Sequence, residues 1–147
     1  MATFKKFEDL DVWQKSRSLT KSIYNLTNKG KFSRDFSLRD QIRRCAVSTM
    51  ANIADGFGRK SSKEFALFLN YTHGSAAKLQ SHLYIALDLN YIDKLTFDSL
   101  YAECERISKM SLRLQNYLRN SLSPWFFDCE NESNPLNPSN PGTLICA

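Results

Sequence analysis

Proline is missing from the first 123 residues of this 147-residue chain; its four copies are Pro124, Pro135, Pro138 and Pro141. Proline inside a helix costs about 3 kcal/mol, so a stretch this long without it permits long helices. Glycine is almost as scarce, with five copies. The four cysteines, Cys45, Cys104, Cys129 and Cys146, lie far apart and form no CxxC pair. A zinc ribbon or a disulfide scaffold is therefore not expected. Cys45 and Cys104 fall inside apolar helical patterns, where a thiol acts as a small hydrophobe, and the expected setting is a reducing cytoplasm. No run approaches the ~18 consecutive apolar residues of a membrane span. The opening Met1-Ala2-Thr3-Phe4-Lys5-Lys6 has no apolar segment behind it, so neither a signal peptide nor a membrane partner is expected.

Catalytic equipment is just as sparse. The two histidines, His73 and His82, are nine residues apart. That is about two and a half helical turns, which puts them on opposite faces where they cannot share a metal. The paired Glu-x-x-His elements of a di-iron bundle are absent, as are a P-loop and GxGxxG. Gly56-Phe57-Gly58-Arg59-Lys60-Ser61-Ser62 has some likeness to a phosphate loop, but it follows a helix and its spacing is wrong. The expectation is a non-enzyme without metal or cofactor.

What the chain does have is helical periodicity, four times over. Val12, Ser16, Leu19, Ile23 and Leu26 mark a first helix, with acids at Glu8, Asp9 and Asp11 in its first turn and a stop at Asn28 to Gly30. Ile42, Ala46, Thr49, Ile53 and Gly56 mark a second, capped by Ser37 and ended by Gly56 and Gly58. Its residues are small, which lets a neighbour come close. The third opens with a capping box, Ser61 and Glu64, and carries Phe65, Leu69, Thr72, Ala76, Leu79, Leu83 and Ala86, with Asn90 as a left-handed stop. The fourth runs from Thr96 through Phe97, Leu100, Cys104, Ile107, Ser111, Leu114 and Leu118. Seven matches near a 3.5-residue period on each of two helices specify bundle packing. Links at roughly 28–37, 57–61 and 90–96 are short, so the fold class is an all-α, antiparallel up-down-up-down four-helix bundle.

The expected organisation is an arm over 1–7, the bundle over 8–120, and a tail over 121–147 rich in Asn, Pro and Ser. That tail cannot bury enough surface to offset its ordering entropy and reads as disordered. Trp125-Phe126-Phe127 is its aromatic cluster, able to dock on the bundle or on a second subunit. Charge divides at the same boundary. All 20 Lys and Arg precede residue 121, with 12 of the 15 acids, which leaves the bundle at +8 and the tail at −3. A basic domain points to an acidic partner such as nucleic acid.

Two basic groups stand out. Arg59, Lys60 and Lys63 surround the start of the third helix, where free backbone N–H groups favour anions. Arg39, Arg43 and Arg44 lie on the second helix, Arg39 and Arg43 one turn apart on one face. The competing reading is a solvated face with an Asp40–Arg44 pair contributing tenths of a kcal/mol. Asn52, one residue off the core stripe, reads as a polar clamp fixing helix register, or else as a ligand contact.

Several segments together resemble a known family: Phe7-Glu8-Asp9-Leu10-Asp11-Val12-Trp13-Gln14-Lys15, Gln41-Ile42-Arg43-Arg44-Cys45-Ala46-Val47-Ser48, Asn52-Ile53-Ala54-Asp55-Gly56-Phe57-Gly58-Arg59, Lys63-Glu64-Phe65, Phe68-Leu69 and Gly74-Ser75. Over about residues 4 to 120 the chain resembles the 23S rRNA intervening-sequence proteins, bacterial four-helix bundles encoded in some cases within insertions of 23S rRNA genes. That family is similar in fold to the accessory proteins of diversity-generating retroelements, ring-shaped pentamers that bind nucleic acid and a reverse transcriptase. The resemblance implies a homo-oligomeric scaffold, a pentamer by analogy, associated with nucleic acid (RNA or an RNA–DNA hybrid). The alternative it implies is a protein–protein adaptor that holds a reverse transcriptase without touching nucleic acid. Asp55, Gly56 and Gly58, with Asn52, form the motif block; the family pattern has Glu where this chain has Asp55. After Gly74-Ser75 the family carries an acidic Glu-Leu-Glu run, where this chain has Ala77-Lys78-Leu79-Gln80. That face is correspondingly more positive.

Overall fold

The computed structural model describes residues 4–120, and among them there are four α-helices and no strand. The helices are α1 (Asp11–Thr27), α2 (Phe36–Gly58), α3 (Ser62–Asp88) and α4 (Lys94–Asn120), with short 3-10 turns at Phe7–Asp9 and Phe32–Arg34. The expected tail and the Trp125-Phe126-Phe127 cluster lie outside the described residues. Each helix packs on the next in sequence, and α1 closes the circuit against α4. The short links force each helix back along its predecessor, as the heptad patterns require.

The stripes read from the sequence point inward. All seven named α3 positions are buried, and Ile23, Ile42, Ile53, Phe65, Leu79, Leu83 and Ile107 are fully shielded from solvent. Burying such a side chain contributes about 1.5–3 kcal/mol. At two helix ends the register drifts by one residue. Leu26 and Leu114 are only half-buried, and Thr27 and Gln115 take the inward places. Gln115 is accommodated because its Nε2 donates to the Ala66 carbonyl at 2.8 Å, and Thr27 because its Oγ1 donates to the Ile23 carbonyl at 2.8 Å.

The helix ends correct several expectations. Asp35, not Ser37, caps α2: its Oδ1 accepts from the Leu38 N–H at 3.1 Å, and its Oδ2 accepts from the Tyr91 hydroxyl at 3.1 Å. That second bond explains the choice, since it ties the start of α2 to the link before α4. Asp93 opens α4 at Lys94, two residues before the expected Thr96, by accepting from the Thr96 N–H at 2.7 Å. Ser61 caps α3 by accepting from the Glu64 N–H at 3.3 Å, which is the serine half of the expected box. Glu8 and Asp9 belong to the 3-10 turn rather than to the first turn of α1, where Asp9 accepts from the N–H groups of Lys5 and Lys6. Asn90 adopts φ +59°, as expected, and the Tyr91 and Asn90 N–H groups cap the Ala86 and Leu87 carbonyls behind it.

Gly56 does not end α2. It is buried inside the helix, and a Cβ there would lie 2.6 Å from the Phe68 Cβ of α3. It is glycine because α2 and α3 cross in close contact. The chain turns after Gly58 instead, and the left-handed residue is Lys60, at φ +56°.

Candidate nucleic-acid interface

The tight α2–α3 turn makes residues equidistant from it face one another. Thr49 thus meets Thr72, whose Oγ1 donates to the Thr49 carbonyl at 3.3 Å, and Ser48 meets Ser75, their hydroxyls 3.0 Å apart. Asn52 Nδ2 donates to Ser48 Oγ at 3.1 Å, so the half-buried amide is the outer member of a three-residue polar clasp between α2 and α3. Asn52 itself bonds within α2, and the crossing to α3 is made by Ser48 and Ser75.

One more turn along, the same count brings Arg44 alongside Lys78 and Gln41 alongside His82. Here a surface groove of about 750 Å³ crosses the N-terminal half of α2, lined by Gln41, Arg44, Cys45, Ser48, Ser75, Lys78 and His82, and on the α1 side by Tyr24, Asp40, Arg43 and Val47. Arg44 and Lys78 are exposed, and no ion pair is formed by either among the described residues. Asp40 is the groove's single acid. It pairs with Arg39 at 3.1 Å, and not with Arg44 as the sequence had suggested. Beneath the cations lies Cys45. Burial pushes its thiol up, and the charges of Lys78 and Arg44 pull the other way. The groove floor is thus under a positive field from both walls.

Arg43 lines the groove, and Arg39 lies one turn before it on α2, just outside the lining. Arg39 Nη1 donates to the Ser33 carbonyl at 3.0 Å, and its guanidinium sits 4.7 Å from the Phe36 ring. Arg43 Nε donates to Thr27 Oγ1 at 2.8 Å, Nη2 to Asn28 Oδ1 at 3.3 Å, and its guanidinium lies 4.6 Å from the Tyr24 ring. The two Arg43 bonds fasten the end of α1 to α2.

Arg59, Lys60 and Lys63 are not part of this groove. They lie past the other end of α2, about 30 Å from Arg39 by helix rise. Arg59 is paired with Asp55 at 3.2 Å and stacked 4.9 Å from Phe68, and Lys60 lies 5.5 Å from the Phe57 ring. Lys63 is exposed in the first turn of α3 beside Glu64. The structure therefore separates the six basic residues into two groups, and it adds Lys78, His82, Tyr24 and Gln41 to the first. Sequence reasoning singled out Lys78 only as a departure in charge; counting outward from the tight turn would have paired it with Arg44.

Among the described residues no cluster of three or more His, Cys, Asp and Glu could hold a metal, and no helix is long and apolar enough to cross a membrane.

No curated protein matches the chain. Among solved structures, a protein of unknown function from the S23 ribosomal protein family of Bacteroides thetaiotaomicron VPI-5482 superposes with a TM-score of 0.65 at 24% identity, covering 71% of this chain and 97% of that one. At that identity the likeness shows a shared fold. The sequence pattern of the 23S rRNA-intervening sequence proteins matches residues 8–113, nearly the whole bundle. The chain thus belongs to the 23S rRNA-intervening sequence protein family.

Proposed function

We propose that this protein is a non-catalytic, cytoplasmic, homo-oligomeric scaffold whose α2–α3 groove binds nucleic acid, either RNA or an RNA–DNA hybrid. The carrying observation is the facing pair Arg44 and Lys78, exposed and without an acidic partner, above a groove with one acid. Ion-paired surface cations such as Arg59 and Lys94 are already neutralised locally; these two are available to phosphates. The family's link with rRNA genes supports the same reading.

Each phosphate neutralised on a duplex adds about −0.9 to the slope of log affinity against log salt, and less on a single strand. Affinity for RNA is therefore expected to fall steeply from low to moderate salt. Arg44→Gln with Lys78→Gln should flatten that slope by roughly one to two. A salt-independent affinity would overturn the reading.

A second reading rests on apolar rather than basic surface. Leu67 with Tyr71, and Ile85 with Leu89, form two exposed apolar pairs on α3, one on either side of Lys78 along the helix. In the first reading these pairs are where copies meet, in a pentamer by analogy with the retroelement accessory proteins. In the second they hold a partner such as a reverse transcriptase, and the groove touches no nucleic acid. A polymerase recovered equally well with and without nuclease treatment would favour the second.

A further inference from the structure

The groove is not only basic. Two rings each have a guanidinium laid against them: Tyr24, in the groove lining, under Arg43 at 4.6 Å, and Phe36, just beyond the lining, under Arg39 at 4.7 Å. Tyr24 is 43% exposed, and Phe36, one turn before Asp40, is 63% exposed. Large aromatic surface left in water contributes nothing to the stability of this fold. Both arginines are also fixed, Arg43 by Thr27 and Asn28 and Arg39 by Ser33 and Asp40, so the stacked pairs are held in place before any ligand arrives. Val47, 40% exposed, adds apolar surface beside them.

We infer that the groove accepts an unpaired nucleic-acid strand, its phosphates on Arg44 and Lys78 and its bases stacked on the Arg43–Tyr24 and Arg39–Phe36 pairs. This rests on the reading that the groove binds nucleic acid, and it names the form of that ligand. In a duplex the base faces are covered by their neighbours, so exposed rings and guanidinium planes have nothing to stack on. A duplex presents phosphates, which a flat basic surface would serve equally well. Splayed bases use π-faces of any sequence, and arginine planes serve as stacking partners alongside aromatic rings. Asp40, at the mouth, can accept from an exocyclic amine or a ribose hydroxyl.

The test compares the full chain binding a labelled unpaired RNA 12-mer and the same sequence as a duplex, at equal salt. The unpaired strand is expected to bind roughly tenfold tighter. Tyr24→Ala and Phe36→Ala should each weaken it by about fivefold or more and the duplex much less, so that the preference for the unpaired strand shrinks, and Tyr24→Phe should bind as the parent does. A 2-aminopurine base in the strand should be quenched on binding to the unmodified protein, a readout that needs no variant to fold. Equal or tighter duplex binding, no quenching, or folded alanine variants that bind the strand normally would each overturn the inference while leaving nucleic-acid binding in place. Failure of both probes to bind at low salt would overturn the two together.

Discussion

At the scale of single residues, Gly56 and Gly74 make a controlled comparison. Both sit inside helices, where glycine is less favourable than alanine by about 1 kcal/mol. A Cβ on Gly56 would fall 2.6 Å from the Phe68 Cβ, an atom anchored to its own backbone, so α2 and α3 would have to separate. Gly56→Ala is expected to destabilise the fold by about 1–3 kcal/mol despite the gain in helix propensity. A Cβ on Gly74 meets nothing within 4 Å. Gly74→Ala should therefore raise stability by roughly 1 kcal/mol. Chemical denaturation of the two variants checks both signs. From the sequence, Gly56 looked like a helix stop because glycine commonly is one. What placed it inside the helix was a distance to Phe68, and one-dimensional spacing carries no such distance.

At the scale of elements, the stripes on α2 and α3 were fully legible because apolar periodicity is a property of each helix alone. Caps were less so. Ser37 is a good cap type, but Asp35 can also accept from Tyr91, 56 residues away, and that long-range bond decided the start of α2. Asp35→Ala should cost about 1 kcal/mol or somewhat more, since it removes the cap and leaves the Tyr91 hydroxyl without its acceptor. Asp93 gives a pH-dependent counterpart. Hydrogen bonds from Thr96 hold its carboxyl below the ordinary carboxylate value. Its folded form thus takes up a proton less readily than the unfolded chain does. The stabilisation is complete above the ordinary carboxylate range, near pH 4, and is lost as pH falls through the folded value. Thermal melts from pH 6 down to pH 3 should show a steeper loss for the parent protein than for Asp93→Asn.

At the scale of the molecule, bundle, charge and family were all readable, because composition and heptads survive without coordinates. The groove was not. Its walls come from α1, α2 and α3, and Lys78 joins Arg44 only through the antiparallel register. The same register seals Cys104 at the centre, where burial pushes its thiol up to about 12. In a protein with Cys129 and Cys146 replaced by serine and Cys45 by alanine, Cys104 should resist alkylation at pH 8 until denaturant opens the whole bundle. Fast labelling in buffer alone would mean that α3 and α4 separate locally.

The Ser48–Ser75 bond lies on the groove floor, and both residues line it. It therefore holds the α2 and α3 backbones at one spacing beneath Arg44 and Lys78, while the long exposed side chains of those two residues keep their rotamer freedom. A ligand of the proposed groove would meet a rigid floor and adjustable tips, so that fitting its width falls to side-chain rotamers and not to movement of the helices.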